Sequence, residues 1–313
     1  MTRDNWTFDF PRPADGDLPR TAAEAASVVR DAIDAQQGLR LAGSGTWLEA
    51  GHPVRARRTM SMRLMAGITS YNPADLTLTC GAGTTLAELK EATRAHGQWC
   101  PLAPPGFDLV NTIGATAAAA VEGPYAATFG RPRSLVLGLE CVDGTGRIIA
   151  AGGRVVKNVA GFDLTRTMIG AWGTLGAITQ VHLRLRALPA ATECWSVRVD
   201  RGDRTRLDAY LRGPLAPLAC MKAVPPVQLP PREDEWHMVQ IGGNTAFVAA
   251  SRAALRAVGE TVPQHETALD ALAGLHRPPA RALQWRWDAL SLRLRDRFDP
   301  HHILNPGLLG EPA

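Results

Sequence analysis

Two glycine-bearing turns carry the residue types best suited to holding a charged, flat ligand. The first is Gly43-Ser44-Gly45-Thr46, entered through Ala42 and followed by Trp47. Glycines leave backbone N–H groups unhindered, and the Ser and Thr hydroxyls add two donors, so the turn can form an anion nest. It is not a Walker loop, since no Gly-Lys-Ser/Thr comes after it, and Leu48 stands where a dinucleotide fingerprint needs its third glycine. Alone, the pattern reads equally as a tight turn. The second is Gly170-Ala171-Trp172-Gly173-Thr174-Leu175-Gly176, where three glycines in seven residues let backbone amides come close to a bulky ligand.

Residues for acid–base or metal chemistry are weaker candidates. His237, His265 and His276 are scattered, and His301-His302 are adjacent, so their side chains diverge; no metal site is expected. Arg154 and Lys157 could neutralise a carboxylate, or equally sit solvated at strand ends. Cys80, Cys100, Cys141, Cys194 and Cys220 are odd in number, far apart and without CxxC spacing. That argues against iron–sulfur and structural zinc sites and reads as small buried hydrophobes in a reducing compartment. No general base is identified.

The elements that must position these turns are legible from period and caps. Thr21-x-x-Glu24 opens a helix with Val28, Val29 and Ile33 on its apolar face, ending at Gly38. Residues 39–41 form a strand into the first turn. Residues 75–80 alternate as a strand, and Thr85-x-x-Glu88 opens a helix ended by Gly97. The loop 101–106 holds three prolines, and the small-residue run around 114–120 requires backbone packed against something flat. A hairpin spans 135–151, turning at Asp143-Gly144-Thr145-Gly146. Asp163 caps a helix over 164–169. The strand after Gly176 puts Val181, Leu183 and Leu185 on one face and His182, Arg184 and Arg186 on the other. From residue 190 to 280 the chain reads strand 195–199, helix 205–212, strand 218–224, strand 236–241 and helix 246–258, an incomplete ferredoxin-like unit with an exposed linker at 225–231. A last helix presents Leu283, Trp287, Leu290, Leu294 and Phe298 to the core, and the tail 299–307 turns back sharply.

The chain has 313 residues, 45% hydrophobic and 20% charged, enough for a full core. A net charge of +4 without a basic block carrying interleaved aromatics speaks for an arginine-rich solvated surface and against nucleic acid. The acidic, proline-rich first 17 residues do not read as a signal peptide, and the longest near-apolar run is too short to span a bilayer. A cytoplasmic location is expected, with any membrane association coming through partners.

In order along the chain, GRVVKNVAGFDL (153–164), IGAWGTLGAITQVHLRL (169–185) and FDPHHILNPG (298–307) resemble the PCMH-type FAD-binding domain of the vanillyl-alcohol oxidase superfamily, and within it the smaller FAD-binding subunits of bacterial glycolate oxidases. The resemblance covers most of residues 20–188 and the tail. It implies an α+β fold of two α+β subdomains holding FAD over residues 1–189, a small cap over 190–280, and a C-terminal helix and tail, 281–313, packing back. By the same likeness, Ala42, Gly43, Ser44, Gly45 and Thr46 receive the pyrophosphate. Pro105 and Gly106 also belong to the expected cofactor site, and Thr112, Gly114, Ala115, Ala118 and Ala119 lie against the cofactor's flat rings. Gly173, Thr174, Gly176 and Ile178 touch the ADP half, and Asn305 borders the flavin. Thr46 stands where some relatives carry the histidine that bonds flavin, so dissociable FAD is expected, and Phe162 replaces the family's usual tyrosine.

The resemblance also implies a role in oxidising a 2-hydroxy acid, glycolate to glyoxylate. Electrons would pass to partner subunits, a larger flavoprotein and an iron–sulfur protein, with a partner surface near the tail and residues 225–235. The alternatives are a stand-alone small FAD-linked oxidoreductase, with 190–280 as its lid, and a non-catalytic assembly subunit with a degenerate flavin site.

Overall fold

The computed structural model describes residues 16–103, 110–153, 163–223, 234–265, 269 and 287–310. Helix α1 (Ala22–Asp34) starts where expected: Thr21 Oγ1 accepts from the Glu24 amide at 3.1 Å. The Glu24 carboxylate accepts from Arg20 N at 2.7 Å, one residue before the cap, so the reciprocal half of the box is displaced. Strand β1 (Leu39–Ala42) pairs in parallel with β2 (Arg58–Ser61), and Leu304 of the returning tail bridges β1 in parallel on its other side.

The largest sheet is antiparallel and uses β3 (Ile68–Asn72), β4 (Thr77–Gly81), β6 (Val136–Val142), β7 (Ile148–Gly152) and β8 (Ala177–Arg184), in the order β3-β4-β8-β6-β7. Between them come α2 (Leu86–Arg94), β5 (Gln98–Trp99), α3 (Ile113–Ala119), α4 (Ala126–Phe129), α5 (Pro132–Leu135) and α6 (Leu164–Met168). The α2 box is complete, with Thr85 and Glu88 each bonding the other's backbone amide. The β8 alternation holds: Val181, Leu183 and Leu185 are fully buried, while His182 and Arg184 are half-buried. They join Leu78, Cys80, Leu139 and Cys141 in one core with Ala25, Val29 and Ala32 of α1, Leu89 of α2 and Ile113 of α3.

After a two-residue strand β9 (Arg186–Ala187), paired with β5, the chain builds β10 (Ala191–Asp200), α7 (Thr205–Arg212), β11 (Ala219–Lys222), β12 (Asp234–Gly243), α8 (Thr245–Arg256) and β13 (Thr261–Gln264). The sheet order is β11-β12-β10-β13, all antiparallel. Sequence periodicity stops at βαββα; the structure adds β13 at the edge, giving the ferredoxin-like unit four strands. One face of this sheet packs Val197, Val199, Val239 and Ile241 on Leu207, Tyr210, Val248 and Leu255 of its helices. The other packs Cys194, Ala219 and Met238 on Tyr125 and the Trp99–Phe129 pair. Tyr125 Oη donates to Gln240 Oε1 at 2.8 Å and Thr128 Oγ1 to Pro217 O at 3.0 Å, bolting α4 to the second unit.

The last helix starts later than its apolar spacing predicts. This element, α9 (Ala289–Phe298), begins after Trp287, and Leu290 is 55% exposed because the first turn overhangs the core that Leu294 and Phe298 reach. Leu283 and the linker 225–231 lie outside the described residues. None of the five cysteines is in a disulfide, and burial pushes the thiols of Cys80, Cys100, Cys141 and Cys220 up to about 12, away from the reactive thiolate. Among the described residues no helix is long and apolar enough to cross a membrane.

His237 on β12 is 3% exposed, and its Nε2 has no hydrogen-bond partner; Glu235 Oε2 stands off at 3.7 Å. Burial, and then the Arg204 charge, lower its pKa from 6.5. The unfolded chain therefore binds more protons as pH falls through 6.5, and folding stability falls with it. The urea midpoint should drop between pH 7 and pH 5.5, and less steeply in His237→Gln; equal slopes would rule this residue out as the source.

Candidate functional site

The loop after β1 descends onto the N-terminus of α3. A Cβ on Gly43 would overlap Thr112 Oγ1, so only glycine lets the strand end lie this close. Gly43 O accepts from Ser61 Oγ at 2.7 Å, and Gly45 adopts φ 88°. Asn111, just ahead of α3, anchors the next two residues of the turn: its Oδ1 accepts from Thr46 Oγ1 at 2.5 Å and from Trp47 Nε1 at 3.1 Å.

Helix α3 divides its small residues between two faces. Ile113, Gly114, Thr116 and Ala117 are buried, with Gly114 pressed onto the Ala82 backbone; this is the flat packing that the run of alanines predicts. Ala115, Ala118 and Ala119 face the other way, at helical spacing.

The second turn is pinned to the end of α3. Gly170 N donates to Ala117 O at 3.2 Å and Trp172 N to Ala118 O at 2.8 Å, capping carbonyls that would otherwise lack partners. Gly170, Trp172 and Gly173 all have positive φ, at 83°, 54° and 72°. Two of the three glycines thus serve the left-handed course of the backbone, and the third, Gly176, packs on Val142 O.

Asn305 joins the two turns. Its Oδ1 accepts from Leu41 N at 2.8 Å and its Nδ2 donates to Trp172 O at 2.8 Å, while its own amide donates to Leu39 O at 2.8 Å. The side chain is 5% exposed, and φ of 46° suits asparagine. The buried Asp299 sets the tail's return, accepting from Ile303 N at 3.1 Å and Leu304 N at 2.9 Å.

Between these pieces lies a recess open to solvent. Of the residues expected to bind the cofactor, Ala42, Gly43, Gly45, Thr46, Ala115, Ala118, Ala119 and Asn305 line it. Ser44 is exposed and outside the lining. Thr112, Gly114, Gly173, Thr174, Gly176 and Ile178 are not in the lining: Thr112 caps α3, Thr174 Oγ1 donates to Ala171 O at 2.7 Å, and Ile178 belongs to the core. Pro105, Gly106, Arg154, Lys157 and Phe162 lie outside the described residues. Sequence reasoning missed Arg40 and the indole pair Trp47–Trp172, whose rings stand 5.6 Å apart and tilted by 46°. A tryptophan inside each glycine turn was the available signal.

The lining suits an anionic cofactor with flat rings. Alanine methyls and two indoles supply apolar walls, the glycine turn supplies amides, and Arg40 is the one charged group among the described lining residues. No carboxylate stands among those lining residues to oppose a pyrophosphate. Among the described residues there is no group of three or more metal-ligating side chains, and His302 instead stands 3.5 Å from Asp296 on the surface.

Comparison with known proteins decides what cofactor this is. Residues 17–152 match the family of FAD binding domains. That match takes in less than half of the chain, and over it the chain is similar to an FAD binding domain. Glycolate oxidase subunit GlcE of Escherichia coli is 35% identical over 164 residues, covering 52% of this chain and 47% of that one. D-lactate dehydrogenase of Archaeoglobus fulgidus is 32% identical, over 53% of this chain and 37% of that one, and glycolate oxidase subunit GlcD of Bacillus subtilis 30%, over 55% and 36%. The chain thus spans less than half the length of these relatives. Alkyldihydroxyacetonephosphate synthase superposes with a TM-score of 0.66 at 17% identity, covering 82% of this chain and 55% of that one. That likeness extends the shared fold beyond the FAD binding domain, and the fold is the PCMH-type α+β fold. FAD is the cofactor, and Asn305, far outside the matched residues, completes the recess of the domain.

Proposed function

We propose that this chain is the FAD-carrying subunit of a glycolate oxidase-like complex that oxidises a small 2-hydroxy acid. The single observation that carries the reading is the recess itself, where the Gly43–Thr46 turn, the alanine face of α3 and the Trp172 turn converge under Asn305. Similarity to a glycolate oxidase subunit and a D-lactate dehydrogenase supports the substrate class. Bound FAD supplies the two-electron acceptor that oxidation of a C–OH carbon requires. The chain's own part would be to hold and orient it: the amides of the glycine turn would take the phosphates, and the alanines and indoles would take the rings. The electrons then leave to a larger flavoprotein and an iron–sulfur subunit in the cytoplasm, with any membrane contact made by those partners.

Nothing in the turn offers a nucleophile for a flavin bond; Thr46 is engaged with Asn111. Acid precipitation of the reconstituted protein should release all the yellow colour into the supernatant, and a yellow pellet would contradict noncovalent binding. Anaerobic stopped-flow mixing of the FAD-loaded chain with glycolate or D-lactate tests the division of labour. Slow or absent bleaching that becomes fast on adding the larger flavoprotein supports the subunit reading.

A second reading, a stand-alone small FAD-linked oxidoreductase, draws on β13: a four-stranded unit bolted by Tyr125 and Thr128 has the form of a finished lid. Rapid bleaching of the isolated chain would favour it.

A further inference from the structure

Under the second sheet, Trp99 and Arg186 stand opposite each other in the antiparallel β5–β9 pair, so their side chains leave on the same face. Both converge on Phe129: the Trp99 ring lies edge-on to it at 5.4 Å, and the Arg186 guanidinium carbon is 5.9 Å from its centroid. Tyr125 closes the other side of Trp99 at 4.9 Å, also edge-on. Two hydrogen-bond donors in this cluster, Trp99 Nε1 and Arg186 Nε, are shielded from solvent and have no acceptor. Nearly all buried polar atoms are bonded, and a donor on a cation is the costliest to strand. The nearby hydroxyls of Tyr125 and Thr128 donate across to Gln240 and Pro217, and neither accepts from Trp99 Nε1 or Arg186 Nε. No acidic side chain forms an ion pair with Arg186 among the described residues.

We infer that Trp99 and Arg186 seat the carboxylate of a small ligand in the seam between the FAD binding domain and the four-stranded sheet. The inference rests on the 2-hydroxy acid reading above for its ligand class. Two neighbouring N–H donors, one of them cationic, match the two oxygens of a carboxylate and would leave the further oxygens of a phosphate unpaired. Phe129 and Met238 give the surroundings apolar walls, with Tyr125 and Cys194 in the same cluster. The chain ties this seam to the flavin recess from both sides. Trp99 precedes the segment that ends at Asn111, and Tyr125 comes six residues after the recess-lining Ala119.

Calorimetric titration of the FAD-loaded full chain with oxalate, a carboxylate the flavin cannot oxidise by hydride removal, tests this. Trp99→Phe keeps the ring packing and removes only the N–H; it should weaken oxalate about tenfold, and Arg186→Gln by more. Flavin content and unfolding temperature of Trp99→Phe should match the parent. Equal oxalate affinity in parent and both variants would overturn the assignment, because waters would then be satisfying the two donors. Oxalate binding in a chain that oxidises no 2-hydroxy acid, alone or with its partners, would sink the proposed reaction and keep this site. A flat trace from a flavin-loaded, active chain would sink the site and keep the reaction.

Discussion

Asn305→Ala should cost the protein most of its FAD affinity, on the order of a hundredfold. The substitution leaves Leu41 N and Trp172 O without the partners that Asn305 supplies at 2.8 Å each. Each stranded buried group costs about 1–3 kcal/mol. Alanine also fits poorly at a φ of 46°. Leu41 and Trp172 both line the recess, so the loosened backbone is the backbone that faces the cofactor. Fluorescence titration of apoprotein with FAD gives the affinity, and the apoprotein's thermal midpoint gives the stability. Asn305→Asp separates the two effects: it can still accept from Leu41 N but cannot donate to Trp172 O, and it places a negative charge at the recess. It should lose more affinity than alanine does while remaining more stable. A variant with unchanged flavin affinity would remove Asn305 from the cradle's construction.

The second large effect is expected at Gly43. An added methyl overlaps Thr112 Oγ1 and comes within 3.2 Å of Thr112 Cβ and Cγ2, so the β1 end and the α3 cap must separate. Overpacking of this kind costs about 1–3 kcal/mol. Displacing Thr112 from Ala115 N adds the loss of a helix cap, about 1 kcal/mol. Gly43→Ala should therefore lower the urea midpoint and the bound flavin together. Because the strain is pairwise, Gly43→Ala with Thr112→Ala should be less destabilised than the sum of the singles. Strict additivity would show that the methyl is tolerated by some other movement.

What the sequence revealed was local. The Thr85–Glu88 box, the Asp163 cap, the β8 alternation and the small face of α3 depend on neighbours within a few positions, and each is present. What it concealed was long-range or short in extent. Strand β13 carries Pro263 at an edge and shows no burial alternation, so nothing in Thr261–Gln264 distinguishes it from a loop until β10 pairs with it. The two-residue pair β5–β9 has no period to detect. In the candidate site, glycines marked both turns correctly, yet several of them shape backbone or fill the core while a tryptophan beside them reaches the recess. Nothing in the sequence singles out Asn111; only the fold brings Thr46 and Trp47 to its carbonyl, 65 and 64 positions away.

The bond from Leu41 N to Asn305 Oδ1 spans 264 positions. At roughly 5–20 residues per second on the ribosome, the two ends are made roughly 15–50 seconds apart. Throughout that interval the first turn and the alanine helix can be in place, but the clasp that locks them to the Trp172 loop has not been translated. The recess therefore gains its last wall only after position 305 has emerged from the ribosome.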